Sequence, residues 1–522
     1  MLAKSLIITV EMKIVKILLV LCFLLILTKI DYRLDSPSSS DIGDDASYYF
    51  HSRTISEDFD FDYTNQIIDS NFDNIFTFNK NDKFIPVHPI GSTFFTFPFM
   101  VIGNLVDTLL GDDNNYGYFI YSLSSIFFLF LSVLLLNKSL NLAGRTPNKF
   151  EVLILSGGSG VTYYAFERFS LTHVYEFFGA SLIIYLTVLF IKTQSKLLNF
   201  VIPFITFVLL SIRWTNVHFF IIPFLVIKII NKINFRRFFL NGMYCSGFIL
   251  GISLFFIHTY KLYGIVTLNP SDVYYKANSD LLWNLNPEGG SLLTIKILTS
   301  HFFNLLVTKE FGLAIFNPVL FVSLLLIIFF LFKKSFTLFW ISLICFLPSI
   351  GIVLLWQTTA SSYGFRYLLS LVPISIFLFC MFVKSKNFKG LVIMLSIFSF
   401  FSTLFFETTQ LTSLSNNINS FGTKHLYSQP YYLDGYIESV TELNSYLKIL
   451  FTSYLGVILL KFIILLIGET SLVEFLIDIN YYNIDIQNLI LETQKIEFLK
   501  LVTLSLFFYL ISRSYGKYFR YA

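Results

Sequence analysis

The chain has 522 residues, 55% of them hydrophobic and 13% charged, with 63 Phe and 30 Tyr and a mean hydropathy of +0.70. Soluble domains carry about 25% charged residues, and apolar runs recur here from Leu18 to Leu510, so a cytosolic enzyme and a nucleic-acid binder are excluded and an integral membrane protein is expected. The net charge of +4, from 37 basic and 33 acidic residues, is too small to call for a polyanionic partner, and Cys22, Cys245, Cys345 and Cys380 all lie inside apolar runs, which argues against a disulfide framework or a metal site.

A membrane span needs about 20 apolar residues, because the hydrocarbon core is about 30 Å thick and a helix rises about 1.5 Å per residue. The first run, 14–30, follows Lys4, Lys13 and Lys16 and lacks a small-residue cleavage site, so it reads as an uncleaved anchor with a cytoplasmic N-terminus. Later runs fall at 117–136, 150–166, 173–191, 198–213, 215–230, 238–258, 311–332, 336–356, 366–383, 389–406, 447–467 and 497–512, for about thirteen spans in all. The run 92–110 is ambiguous. Basic residues collect in cytoplasmic loops, and the loops with Lys138/Arg145/Lys149, Lys192/Lys196, Lys228/Lys232/Arg236/Arg237, Lys333/Lys334 and Lys384/Lys386/Lys389 all fall inside only if 92–110 does not cross. It is therefore expected as a broken, interfacial or re-entrant segment on the outer face, with Pro89, Gly91 and Pro98 interrupting it.

The same parity puts 31–91, 167–172, 260–310, 357–366 and 407–448 on the outer face. The stretch 31–83 alone holds twelve of the 33 acidic residues, against four basic ones. The Glu57 to Asp62 run alternates Asp with Phe and fits a solvated turn. Asp44 and Asp45 differ: between Gly43 and Tyr48/Tyr49, with His51 and Arg53 following, they suit a short helix on the membrane surface. A carboxylate held there has the chemistry of a general base or of an oxygen ligand for a divalent ion.

In order along the chain, Gly43-Asp44-Asp45-Ala46-Ser47-Tyr48, Glu57-Asp58-Phe59-Asp60-Phe61-Asp62 and His88-Pro89-Ile90-Gly91 follow a first anchor. Downstream come Ser211-Ile212-Arg213-Trp214-Thr215-Asn216, Phe311-Gly312-Leu313-Ala314-Ile315-Phe316-Asn317-Pro318-Val319-Leu320, and Ser362-Tyr363-Gly364-Phe365-Arg366-Tyr367-Leu368 with Pro373. This series resembles the bacterial polyprenyl-phosphate-sugar-dependent glycosyltransferases of the GT-C fold, similar in plan to the aminoarabinose transferases of lipid A and the protein O-mannosyltransferases. Ile90 stands where the family's turn has a second proline, and nothing beyond Lys384 matches. The resemblance implies an all-α polytopic bundle of about 12–13 transmembrane helices, with a catalytic first outer loop (31–116) bearing membrane-surface helices. Residues 1–406 would form the transferase module and 407–522 a C-terminal addition of unassigned role.

By the same resemblance Asp44 matches the family's base and Asp45 its acidic neighbour. Arg213 and Arg366 lie at the outer ends of apolar helices, where each either snorkels to the interface or binds the donor phosphate. His88 either serves the donor site or caps a helix. Glu167 and His173 either position a metal or the acceptor, or Glu167 simply pairs with Arg168. Tyr363 joins the positioning set. A divalent cation, Mg2+ or Mn2+, near Asp45 or Glu167 is left open as a cofactor. The expected partners are a polyprenyl-phosphate-linked sugar, a lipid, glycan or protein acceptor, and membrane lipids, with no nucleic acid, at the inner (plasma) membrane with an outward-facing site. The rival readings are a lipid-linked-sugar flippase, a polysaccharide exporter or polymerase, and a noncatalytic scaffold. No internal repeat of the transporter kind is visible. Residues 468–496 read as a cytoplasmic amphipathic stretch, and a span at 497–512 leaves Arg513, Lys517 and Arg520 outside, against the charge rule.

Overall fold

The computed structural model describes residues 43–68, 76–78, 80–86, 88–110, 116–147, 149–166, 168–231, 235–268, 312–356 and 366–404, with a few residues between 299 and 307 and between 506 and 511. The expected anchor at 14–30, the run 447–467, most of 497–512 and nearly all of the C-terminal region 407–522 lie outside the described residues.

In chain order the helices are α1 (Gly43–Glu57), α2 (Thr64–Ile68), α3 (Thr93–Leu110), α4 (Tyr116–Leu142), α5 (Lys149–Gly157), α6 (Val161–Phe166), α7 (His173–Thr193), α8 (Lys196–Leu210), α9 (Ile222–Ile230), α10 (Phe235–Phe239), α11 (Gly242–Tyr263), α12 (Leu313–Phe316), α13 (Pro318–Phe332), α14 (Phe336–Trp356), α15 (Val372–Phe382) and α16 (Lys386–Leu404). Among the described residues five segments are long and apolar enough to cross a membrane: Ile90–Leu110, Tyr116–Leu142, His173–Thr193, Gly242–Tyr263 and Phe336–Leu354. The chain is a mostly helical protein of the membrane type. One departure from an all-α plan is a small antiparallel hairpin between α2 and α3, β1 (Phe76–Phe78) with β2 (Phe84–Pro86), in register Phe76 to Pro86 and Phe78 to Phe84.

Packing follows from which helices are apolar on every side. In α7, Ile183, Ile184 and Val188 are fully buried, and so are Ile126, Val133, Leu136 and Leu140 of α4 and Ile376, Phe377 and Phe379 of α15. A helix apolar all round belongs in the interior. By contrast α11 exposes Ile249, Leu254 and Ile257, and α14 exposes Trp340, Ile344 and Leu347, the surface expected to face lipid. The close contact between α8 and α11 rests on glycines: a Cβ on Gly247 would overlap the Phe200 carbonyl, and one on Gly251 would overlap the Phe207 ring. Small residues four apart let two backbones approach where no hydrophobic effect drives association.

Several of the expected spans are interrupted. The run 150–166 is split into α5 and α6 by 158–160, where Gly160 takes φ +85° and a Cβ on Gly158 would overlap the Ser396 backbone. The run 311–332 is split at Asn317, whose φ is −153° and whose side chain accepts from Leu320 N. The two breaks meet. Asn317 Nδ2 donates to Ser159 O at 3.3 Å and Ser399 Oγ to Phe316 O at 2.9 Å, so side chains satisfy the backbone groups that the breaks release, as a non-aqueous surrounding demands. The run 215–230 is a short 3₁₀ turn, Val217–Phe220, followed by α9.

The segment 92–110 also differs from expectation. A 3₁₀ turn at Ile90–Ser92 leads into α3, which runs unbroken through Pro98. It lies antiparallel to α4: Phe95 and Phe99 pack on Phe128, and Asp107 accepts from Tyr116 N and Gly117 N, both at 2.7 Å, capping α4. By length and hydropathy it qualifies as a span, so only the charge rule argues for a surface position.

Candidate functional site

One end of the bundle collects the polar side chains that the middle lacks. It is built where α1, the α6–α7 turn, the start of α7, the α8–α9 turn and the 3₁₀ turn at Arg366–Leu371 come together. Its inward side is one buried carboxylate. Glu176, on the first turn of α7 and 1% exposed, accepts from Thr172 Oγ1 at 2.6 Å and Asn216 Nδ2 at 3.1 Å. Arg213 Nε lies 3.5 Å from Glu176 Oε1, and His173 Nδ1 lies 3.4 Å from the same oxygen. Burial of a charge is tolerable only with such pairing and hydrogen bonding.

Arg213 and Arg366 meet at one aromatic ring. The Arg213 guanidinium carbon is 4.7 Å from the centre of the Tyr367 ring and that of Arg366 is 5.1 Å from it, both within cation–π range. Arg366 Nη2 also donates to the Tyr367 hydroxyl at 3.2 Å. The Nη1 group of Arg213 and Nε2 of His173 are buried with no hydrogen-bond partner. Tyr48 of α1 lies beside the Arg213 guanidinium, and its ring stands 5.1 Å from that of His88. Asp44 lies four residues before Tyr48 on α1.

Asp45 takes a different partner from any expected. Both its oxygens accept from Arg168, Oδ2 from Nε at 2.7 Å and Oδ1 from Nη2 at 3.2 Å, with the Asp45 side chain 4% exposed. This bidentate pair pins α1 to the α6–α7 turn. The expected pairing of Arg168 with its neighbour Glu167 falls on a residue outside the described ones. The side chain of Asp44, and all of Glu167 and Tyr363, lie outside the described residues. Among the described residues no three His, Cys, Asp or Glu side chains converge as metal ligands, and Asp45 already spends its oxygens on Arg168.

His88 holds position through its backbone. Its N–H donates to Ser47 Oγ at 3.3 Å, and its carbonyl accepts from His51 Nε2 at 2.8 Å. It does not cap the turn that follows, which begins at Pro89 with no side-chain cap. His51, named in the sequence only as a neighbour of the acidic pair, is a strut. With Nε2 donating to a carbonyl, its Nδ1 accepts from the Tyr63 hydroxyl at 2.6 Å. Burial pushes the imidazole down to about 3 and the Tyr63 phenol well up, so both are neutral struts.

Gly91 makes the last junction. Its N–H donates to Ser211 O at 3.0 Å, and a Cβ there would overlap the backbone of Ser211 and Ile212. The loop carrying His88 is thus fastened two residues from Arg213. Sequence reading had picked out Arg213, Arg366, His88 and His173, and the fold brings them to one end. It had not singled out Tyr367, Thr172 or Asn216, although Asn216 and Tyr367 sit inside the motifs it quoted, nor the pairing of Glu176 with Arg213. Comparison with protein-family models, curated proteins and solved structures finds no match.

Proposed function

We propose that the protein is a membrane glycosyltransferase that moves one sugar from a polyprenyl-phosphate donor to a lipid, glycan or protein acceptor, with the site opening on the outer face of the plasma membrane. The observation that carries this reading is the meeting of Arg213 and Arg366 on the Tyr367 ring, with Tyr48 of α1 beside Arg213. Two guanidinium groups, one with an unpaired buried N–H, suit a lipid phosphate that they fork with paired hydrogen bonds.

In this mechanism Asp44 takes the proton of the acceptor hydroxyl as its oxygen attacks the anomeric carbon. The bond to the lipid phosphate breaks on the opposite face, and configuration inverts. Arg366 and Arg213 stabilise the charge that grows on the departing phosphate, which lowers the barrier because it is strongest in the transition state. Glu176 holds Arg213 in place without neutralising the Arg366 charge. Asp45, locked to Arg168, positions the first turn of α1 and so the neighbouring Asp44. His173 stands beside Glu176 and Tyr367, and His88 beside Tyr48.

The test is transfer of labelled sugar from polyprenyl phosphate by the full chain in liposomes. Asp44→Asn, inserted and folded as the parent, is expected to lose at least about 100-fold in transfer, the lower end for a general base, while still binding donor. Undiminished transfer sinks the role of Asp44. Donor binding with no transfer by the parent chain, across lipid, glycan and protein acceptors, favours a scaffold.

A further inference from the structure

The opposite end of the bundle carries a second polar feature. A cavity of about 380 Å³ opens between the α4–α5 loop, the end of α15 and the start of α16, lined by Arg145, Thr146, Glu151, Lys384, Lys386 and Lys389 among others. Its size falls within the roughly 300–1,000 Å³ of clefts that hold small ligands. Four cations face one carboxylate there.

Two of the four are fixed by contacts that shape the cavity. Arg145 Nη2 donates to Met381 O at 3.0 Å across the opening, and the loop reaches it through Gly144, whose φ of +83° only glycine adopts without strain. Lys389 Nζ lies 3.0 Å from Glu151 Oε1. Among the described residues Lys384 and Lys386 have no ion-pair partner, and both are exposed at the rim. Among the described residues the local excess of positive charge is therefore unbalanced. Beside the rim, α16 turns an apolar ridge outward: Leu391 is 47% and Met394 64% exposed. A cationic cavity opening onto an apolar ridge matches an amphipathic anion with a compact phosphate head and hydrocarbon tails.

We propose that this cavity binds the phosphate headgroup of an anionic membrane lipid, with the acyl chains laid along Leu391 and Met394. It is separate from the site that holds Arg213 and Arg366, and it does not depend on the transferase reading. Arg145 would fork the phosphate oxygens and Lys384 and Lys386 would close over them, while the Lys389–Glu151 pair forms the floor.

Native mass spectrometry of the delipidated full chain in neutral detergent tests this, with short-chain phosphatidylglycerol, phosphatidylcholine of the same chains and inorganic phosphate as separate probes. Phosphatidylglycerol is expected to bind at least about tenfold more tightly than phosphatidylcholine. Lys384→Gln with Lys386→Gln should weaken phosphatidylglycerol by about fivefold per charge removed and leave phosphatidylcholine unchanged. Lys384→Arg with Lys386→Arg should keep the preference, which separates lost charge from lost fold. Equal binding of the two lipids by the parent chain overturns the proposal, as does a preference that survives the double Gln change. Inorganic phosphate binding as tightly as phosphatidylglycerol overturns the lipid as occupant and assigns the cavity to a soluble phosphate.

Discussion

Each end of the bundle sets a glutamate against a cation, and the two pairs are made differently. Glu176 is 1% exposed and takes hydrogen bonds from Thr172 and Asn216 besides the contact with Arg213. Glu151 is 8% exposed and meets Lys389, itself a quarter exposed, with a weak contact from the Cys380 thiol. The first carboxylate is held by a network that fixes an arginine at a chosen place. The second is a pair whose carboxylate is buried but whose lysine reaches solvent, and such partly screened pairs contribute less. Elaborate support around one charge marks the end where geometry matters, while loose, unbalanced charge marks the end suited to a mobile lipid head.

The largest effect expected is therefore at Glu176. Glu176→Gln leaves Arg213 charged and buried without its counter-ion, a change that costs about 3–5 kcal/mol when one partner of a buried pair is removed. Thermal unfolding of the purified variant in detergent measures it. A melting temperature within a degree or two of the parent's would mean that the network is not holding the charge. Next comes Gly91→Ala, since the added methyl overlaps the Ser211–Ile212 backbone. Overpacking of this kind costs about 1–3 kcal/mol, and because the junction lies two residues from Arg213, donor affinity should fall along with stability. Loss of stability with unchanged donor binding would uncouple the loop from the arginine.

The contrast between the ends was partly legible in the sequence. The run 336–356 coincides with α14 at both ends, and α4 and α7 lie close to their apolar runs, because length and hydropathy alone define a helix that lipid or core surrounds. The breaks at 158–160 and at Asn317 were not read, since averaged hydropathy is blind to a turn whose residues remain uncharged. Gly157-Gly158-Ser159-Gly160 and Asn317-Pro318 were the available signals. The hairpin 76–86 was too short for its alternation to register. Charge partners were the least legible of all. Arg168 forks the carboxylate of Asp45, 123 residues away in the chain, and nothing local in a sequence encodes such a closure.

The His51 strut gives a prediction that depends on pH. Its ring, buried among neutral groups with His88 and His258 nearby, stays unprotonated down to about 3, whereas the unfolded chain's imidazole takes up a proton near pH 6.5. The unfolded state thus binds more protons between these values, so stability is full above about pH 6.5 and falls on acidification, by about 1.4 kcal/mol per pH unit from this one group. His51→Gln should flatten that slope between pH 6.5 and 5 in melting curves, at some constant cost from lost packing. An undiminished slope in the variant would place the acid sensitivity elsewhere.

The smallest effect belongs to the opposite end and decides whether the comparison stands. Glu151→Gln breaks a partly solvated pair, for which about 1 kcal/mol or less is expected, because Lys389 can turn its ammonium to water at the rim. Glu176→Gln offers Arg213 no such escape. If the two variants melt alike, burial and the network around Glu176 are not what separates the ends. If Glu151→Gln is nearly silent in stability yet tightens binding of phosphatidylglycerol, the carboxylate serves to moderate the charge of the cavity and not to hold the helices together, since removing it leaves four cations with no internal counter-charge.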